Sequence, residues 1–175
     1  MKALTIFLLT TVFSITTIMT ASSIELGIDY GKEFRGNTDL QQYEVYLRQP
    51  LPYKKQTDSG LAISSALEFG VAFLQESGSD NDPAGRFSLM PQLFLSPHQN
   101  ITCVVGFGAG FMVGNTEFTE HNLGGEFLLA SKLGLQFLLG QGWNVGYFFY
   151  HQSNAGIYEY NASLNMHSLT FSYSF

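Results

Sequence analysis

The sequence predicts an all-β protein, an eight-stranded antiparallel transmembrane β-barrel. Three observations lead there. Charged residues make up only 13% of the chain, against about a quarter in ordinary soluble domains, while 16 Phe, 9 Tyr and 18 Gly are a heavy load. Apolar residues recur with period two in eight successive segments, the spacing of a strand, and no helical period interrupts them. The connections alternate between long polar stretches and short turns, as expected of a barrel threaded through a bilayer.

The segments follow in order. IELGIDYG sets Ile24, Leu26, Ile28 and Tyr30 on one face and Glu25, Gly27, Asp29 and Gly31 on the other. Around 43–47, Tyr43, Val45 and Leu47 oppose Gln42, Glu44 and Tyr46. Within about 60–73, Leu67, Phe69, Val71 and Phe73 oppose Glu68, Gly70 and Ala72. The fourth, Phe87 to Leu95, is broken by Pro91 and carries Phe94 on its polar side. In CVVGFGAGFMVG, Cys103, Val105, Phe107, Ala109, Phe111 and Val113 share a face, and Gly106, Gly108 and Gly110 line the other. A phosphate-binding loop would need a helix after those glycines, and none is patterned there; glycines facing a crowded interior explain the spacing. The sixth segment, 124–139, puts Leu133, Leu135, Phe137 and Leu139 on one face; WNVGYFFYH and LNMHSLTFSYSF complete the set.

A bilayer selects closure, because an open sheet edge would leave backbone groups unpaired in hydrocarbon. The apolar faces must then point outward, with Glu25, Asp29, Glu68 and the glycines filling the narrow interior. With a periplasmic start, LQESGSDNDPAGR and GNTEFTEHNLGGE fall outside the cell, and SPHQN and GQG become short periplasmic turns. PLPYKKQTDSG is longer than that pattern predicts. Trp143, Tyr173 and Phe175 read as interfacial anchors at the periplasmic rim. A terminal Phe closing an alternating aromatic strand resembles the C-terminal signal of bacterial outer-membrane barrels, so the expected location is the bacterial outer membrane. A soluble lipocalin-like barrel competes with this reading, since periodicity alone does not say which face is inside.

Residues 1–22 read as a cleaved signal peptide and 23–175 as the barrel. Lys2 precedes an apolar, Thr-containing run that ends in small residues, too short for a comfortable membrane span. Without Lys2 the chain carries 7 basic and 14 acidic residues, a net charge of −7, which argues against nucleic acid as a partner. Cys103 is the sole cysteine, so no internal disulfide can form, and no Cys/His spacing suggests a metal site. No cofactor is expected.

The chemistry concentrates in YHQSNAG, 150–156. His151 shares the parity of Trp143, Val145, Tyr147 and Phe149, so on a regular strand it faces lipid, and Ser153 shares that face one pleat on. Residues i and i+2 lie about 6.5–7 Å apart and project the same way, within reach of a tilted imidazole. Asn165 has the outward parity of Leu169, Phe171 and Tyr173, and a hairpin brings its strand beside His151. Polar groups converging on a lipid-facing wall are costly unless they act there. Equally open at this point is a strand that ends near Tyr150, leaving His151, Ser153 and Asn154 as a solvated turn.

YHQSNAG, followed by Asn161-Ala162-Ser163-Leu164-Asn165 and a short aromatic strand, resembles the lipid A 3-O-deacylase family. Its members are outer-membrane barrels grouped with the acyloxyacyl hydrolase-like proteins. The similarity covers about Leu123 to Phe175 and is architectural before that. The family's pattern is His-x-Ser-Asn plus an acidic residue on the last strand. It implies His151 as general base, Ser153 as nucleophile and Asn154 as a contributor to the oxyanion hole. Asn165 stands where some relatives carry Glu. An amide can hold an imidazole tautomer but stabilises the imidazolium less than a carboxylate does, so slower turnover is expected. Glu159, in the same hairpin, is the alternative orienter.

The resemblance implies a serine esterase that removes a 3-hydroxyacyl chain at position 3 of lipid A, with lipopolysaccharide and outer-membrane lipid as partners. The rival class is a structural or adhesive barrel without catalysis. His98 is expected in a solvated turn, His121 and Glu120 in an external loop facing the lipid A headgroup, and His167 on the outward face near the external end.

Overall fold

The structure, a computed structural model, describes residues 23–36, 39–78 and 80–175. The predicted signal segment, 1–22, lies outside the described residues. The strands are β1 (Glu25–Glu33), β2 (Asp39–Gln56), β3 (Ala62–Ser77), β4 (Ala84–His98), β5 (Ile101–Gly114), β8 (Phe127–Gly140), β9 (Trp143–Ser153) and β10 (Leu164–Ser174), with a small hairpin, β6 (Glu117–Phe118) and β7 (His121–Asn122), between β5 and β8. The eight long strands form a closed antiparallel barrel in which β1 pairs with β10.

Alternation fixes which way each side chain points. Along β1, Leu26, Ile28 and Tyr30 are exposed while Glu25, Asp29 and Glu33 are buried, and the same alternation runs round the wall. Ile28 and Phe107, at 59% and 62% exposure, are far too open for the core of a soluble barrel. This apolar outer surface is the one a bilayer covers.

The lumen is filled in two layers. Toward the short turns lies a charged network. Arg48 bridges Glu25 at 2.5 Å and Glu68 at 2.8 Å, and Lys132 bridges Glu68 at 3.2 Å and Asp29 at 3.5 Å. Nearer the long loops, where it stands opposite Met112, Arg86 holds Glu44 at 3.2 Å. Phe94, the residue on the polar side of its strand, stacks against the Arg48 guanidinium at 5.1 Å, so its inward position is occupied for packing. Toward the long loops, Leu40, Leu74, Met112, Leu128, Leu164 and Met166 form a buried apolar plug. The interior is therefore not wholly small and polar; beneath the loops a hydrophobic cluster shares the lumen with Arg86 and Gln152.

Two irregular stretches resolve simply. Within PLPYKKQTDSG, β2 continues to Gln56 and pairs with β3 as far as Gln56↔Ala62, past a bulge between Pro50 and Lys54. The turn proper is only Thr57–Leu61, closed by a 2.9 Å bond from the Thr57 N–H to the Leu61 carbonyl. Pro91 has no N–H to give, and its strand nevertheless runs unbroken from 84 to 98. There Gly108 lies so close to the Leu89–Met90 backbone that any Cβ would collide with it.

At the short-turn end Trp143 stacks on Phe171 at 4.9 Å and meets Tyr173 at 4.8 Å, an aromatic cluster of the kind found at bilayer interfaces.

Candidate active site

Strand β9 does not stop at Tyr150 but runs to Ser153, so His151 and Ser153 stand on the outward face of the barrel at its long-loop end. The register places Asn165 of β10 directly opposite His151 on one side, and Ser131 of β8 opposite it on the other. Asn165 Oδ1 lies 2.8 Å from His151 Nδ1. The Asn165 Nδ2 donates to Ser163 Oγ at 3.2 Å, which fixes the carbonyl end of the amide toward the imidazole. The histidine then carries its proton on Nδ1 and presents the Nε2 lone pair elsewhere, the tautomer a general base needs.

Asn165 is only 3% exposed although its parity is outward. The end of β1 folds over its backbone. The Phe34 N–H donates to the Asn165 carbonyl at 3.1 Å, and the Glu33 Oε2 accepts from the Asn165 N–H. Glu159 is exposed in the loop, and Asn165 is the residue that holds the imidazole.

Ser153 is half-buried beside Leu129 of β8. Among the described residues no hydrogen bond joins its hydroxyl to His151. Such contacts are commonly loose without substrate and tighten only in the reacting complex.

Asn154, the expected oxyanion-hole contributor, is tied into the loop by four hydrogen bonds. Its Nδ2 donates to the Leu123 carbonyl at 2.7 Å and to the Tyr160 carbonyl at 2.5 Å, which uses both amide protons. Its Oδ1 accepts from the Gly156 N–H at 2.8 Å, and its own N–H donates to Asn161 Oδ1 at 3.0 Å. Fully buried, Asn154 ties the 154–163 loop to the loop before β8. An amide so bonded braces the turn. The turn it braces is unusual: Ala155 has φ +54° and Gly156 φ +82°, so a residue with a Cβ occupies the left-handed region two positions after the serine.

The remaining histidines are apart from this group. His98 accepts the Asn100 N–H at 3.3 Å in an exposed turn. His121 is buried within the β6–β7 hairpin, which leaves it little surface for a headgroup. His167 is on the outward face, bonded to the Tyr147 hydroxyl at 2.7 Å and packed against Phe34 at 4.2 Å. Sequence reasoning missed Ser163, Ser131 and Glu33. An outward serine on an apolar wall was a readable signal for Ser131, which lies in β8; Ser163 lies just before β10.

The family model for lipid A 3-O-deacylase (PagL) matches residues 41–174. Lipid A deacylase PagL of Bordetella bronchiseptica is 37% identical over 70 residues, a stretch that spans 40% of this chain and 39% of that relative. Among solved structures, the crystal structure of the outer membrane enzyme PagL is similar with a TM-score of 0.71 at 16% identity, covering 85% of this chain and 98% of that one. A de novo designed transmembrane β-barrel gives a TM-score of 0.58 at 8% identity, covering 90% and 98%. Ail of Yersinia pestis in a phospholipid bilayer nanodisc gives 0.52 at 12%, covering 87% and 99%. At these identities the structural likenesses speak for the fold.

Proposed function

The chain belongs to the lipid A 3-O-deacylase family, and from that premise we propose that it is an outer-membrane serine esterase that hydrolyses the ester-linked 3-hydroxyacyl chain at position 3 of lipid A. The observation that carries this reading is the 2.8 Å pairing of His151 Nδ1 with Asn165 Oδ1, on the outward wall and beside Ser153. An acyl ester of an outer-leaflet lipid lies at the height of the long-loop rim, and its chains can lie along the exposed apolar wall.

In the reaction, Ser153 Oγ attacks the ester carbonyl carbon while His151 Nε2 takes the hydroxyl proton. The tetrahedral oxyanion is met by the Ala155 backbone N–H, in the turn that Asn154 braces; loss of such a donor typically costs about 10²–10³ in rate. Collapse breaks the ester bond, and the sugar oxygen leaves with the proton from His151. A water then attacks the acyl-serine, giving its proton to His151, and the 3-hydroxy fatty acid departs as Ser153 is restored. Asn165 holds the imidazole in its working tautomer throughout. Being neutral, it stabilises the imidazolium less than a carboxylate would.

Mass spectrometry of lipid A from cells expressing the wild type or Ser153→Ala tests the proposal. The wild type is expected to remove one hydroxyacyl chain and the variant none. Intact lipid A alongside a folded wild-type barrel, identified by heat-modifiable gel mobility, would favour a structural or adhesive barrel instead.

A further inference from the structure

Next to the His151–Asn165 pair lies a carboxylate that the reaction above does not use. Glu33 closes β1, is 3% exposed, and belongs by parity to the lumen. Its carboxylate turns to the backbone of β10: Oε2 accepts from the Asn165 N–H, and Oε1 accepts from the Arg35 N–H at 2.8 Å. With the Phe34 N–H on the Asn165 carbonyl at 3.1 Å, both backbone polar groups of Asn165 are held by two consecutive residues of the β1 end.

Among the described residues no cation answers this charge, and Glu33 forms no ion pair. Lys32, its neighbour, points outward to Asp39 at 2.7 Å, and the lumenal Lys132 is engaged by Asp29 and Glu68. Burying a carboxylate on backbone donors alone is expensive, and a neutral acceptor could close the strand end at lower cost. What a neutral residue could not supply is negative charge beside the residue that holds the histidine.

We propose that Glu33 is a positioning residue of the esterase, fixing Asn165 through its backbone N–H and supplying the negative charge that the Asn165 side chain lacks. The inference rests on the reading of Asn165 as the orienter of His151. When His151 takes the serine proton, the imidazolium faces the Asn165 carbonyl oxygen, and behind that residue stands the Glu33 anion. Relatives with Glu at the Asn165 position would carry the charge one residue closer; here the two tasks, orientation and charge, are divided between Asn165 and Glu33.

The test uses the full chain purified in detergent, with lipid A bearing a 3-O-acyl chain as substrate. Glu33→Gln, which keeps size and one acceptor oxygen, is expected to lower kcat about tenfold while KM stays within about twofold, the pattern of an interaction made mainly in the transition state. Adding Asn165→Glu to Glu33→Gln returns the charge at the other position and should bring kcat back to within about threefold of wild type. A purely structural Glu33 would not be rescued by a charge placed on Asn165. Unchanged kcat in Glu33→Gln, or a loss that Asn165→Glu does not recover, overturns the proposal. Because Glu33→Gln could lower the yield of folded barrel, the rate of Ser153 labelling by a fluorophosphonate is read on the folded gel band alone, where the same loss and recovery are expected. That readout does not need lipid A, so failure of the wild type to deacylate lipid A would count against the substrate assignment and not against Glu33.

Discussion

His151 and Asn165 are register partners on β9 and β10, and the imidazole Nδ1 sits 2.8 Å from the amide Oδ1 on the outer wall of the barrel. A direct cross-strand pair is a stiff mount, since the side chains of opposed residues leave the sheet side by side. The mount is stiffer here because β1 and Ser163 hold the backbone and the amide of Asn165. A histidine at this level of the wall, without such a partner, would be a polar group wasted against lipid.

The first prediction follows from that mount. Asn165→Ala removes the acceptor that fixes the Nδ1–H tautomer, so turnover should fall by about 10², the scale of one well-placed catalytic hydrogen bond, with the barrel still closed. Lipid A deacylation rates in detergent, with heat-modifiable mobility as the fold control, provide the check. Turnover equal to wild type would mean that His151 is oriented by something else.

Ser163→Ala probes the amide rather than the histidine. Without Ser163 Oγ, bonded to Nδ2 at 3.2 Å, the Asn165 amide can rotate and offer its NH2 end to the ring. A neutral hydrogen bond contributes about 0.5–1.5 kcal/mol, so a loss of roughly 2- to 10-fold in kcat is expected, much smaller than for Asn165→Ala. Steady-state kinetics of the two variants side by side give the comparison.

Gly124 tests the loop brace. It sits at φ +75°, and a Cβ there would meet the Tyr160 carbonyl, the Tyr158 side chain and, at 3.0 Å, the Asn154 Nδ2. Gly124→Ala should therefore push Asn154 off its carbonyl partners and loosen the Ala155–Gly156 turn. The left-handed backbone alone costs about 1–2 kcal/mol for a residue with a Cβ. A fall in deacylation and faster protease cleavage within 154–163, with the strands still protected, are the expected outcomes.

The alternation of Ile28, Phe107 or Leu133 with small or polar neighbours made the barrel and its outward face legible, because the strand period is local. It also carried His151 and Ser153 to the correct face. It was less informative about what meets across the lumen. Arg48, Arg86 and Lys132 all occupy inward positions, but their match to Glu25, Glu44 and Glu68 exists only once distant strands close the ring. The apolar plug of Leu40, Leu74 and Met112 contradicts a polar-in rule, since those residues fill the lumen beneath the long loops, with Arg86 opposite Met112. Parity also fails at strand ends. Glu33 faces the lumen by count, yet its carboxylate reaches the backbone of the outward Asn165, and the Asn154 side chain turns into the loop to bond the Leu123 carbonyl.

The charged layer yields a prediction about stability that is separate from catalysis. Arg48 is buried, bonded to Glu25, Glu68 and Gln136, and lies over the rings of Tyr46 and Phe94 at 5.0 and 5.1 Å. Arg48→Met keeps much of the packing volume but leaves Glu25 without a cation, while Glu68 retains Lys132 at 3.2 Å. Removing one partner of a buried pair typically costs about 3–5 kcal/mol, because the remaining charge is stranded. Urea unfolding in micelles, followed by the fluorescence of the single Trp143 near the same end of the barrel, should show that loss. The folded fraction of Arg48→Met should still deacylate lipid A at close to the wild-type rate, since His151 and Ser153 lie at the opposite rim. An unchanged midpoint would mean that the network only fills space; a folded but inactive variant would mean that the two ends of the lumen are coupled.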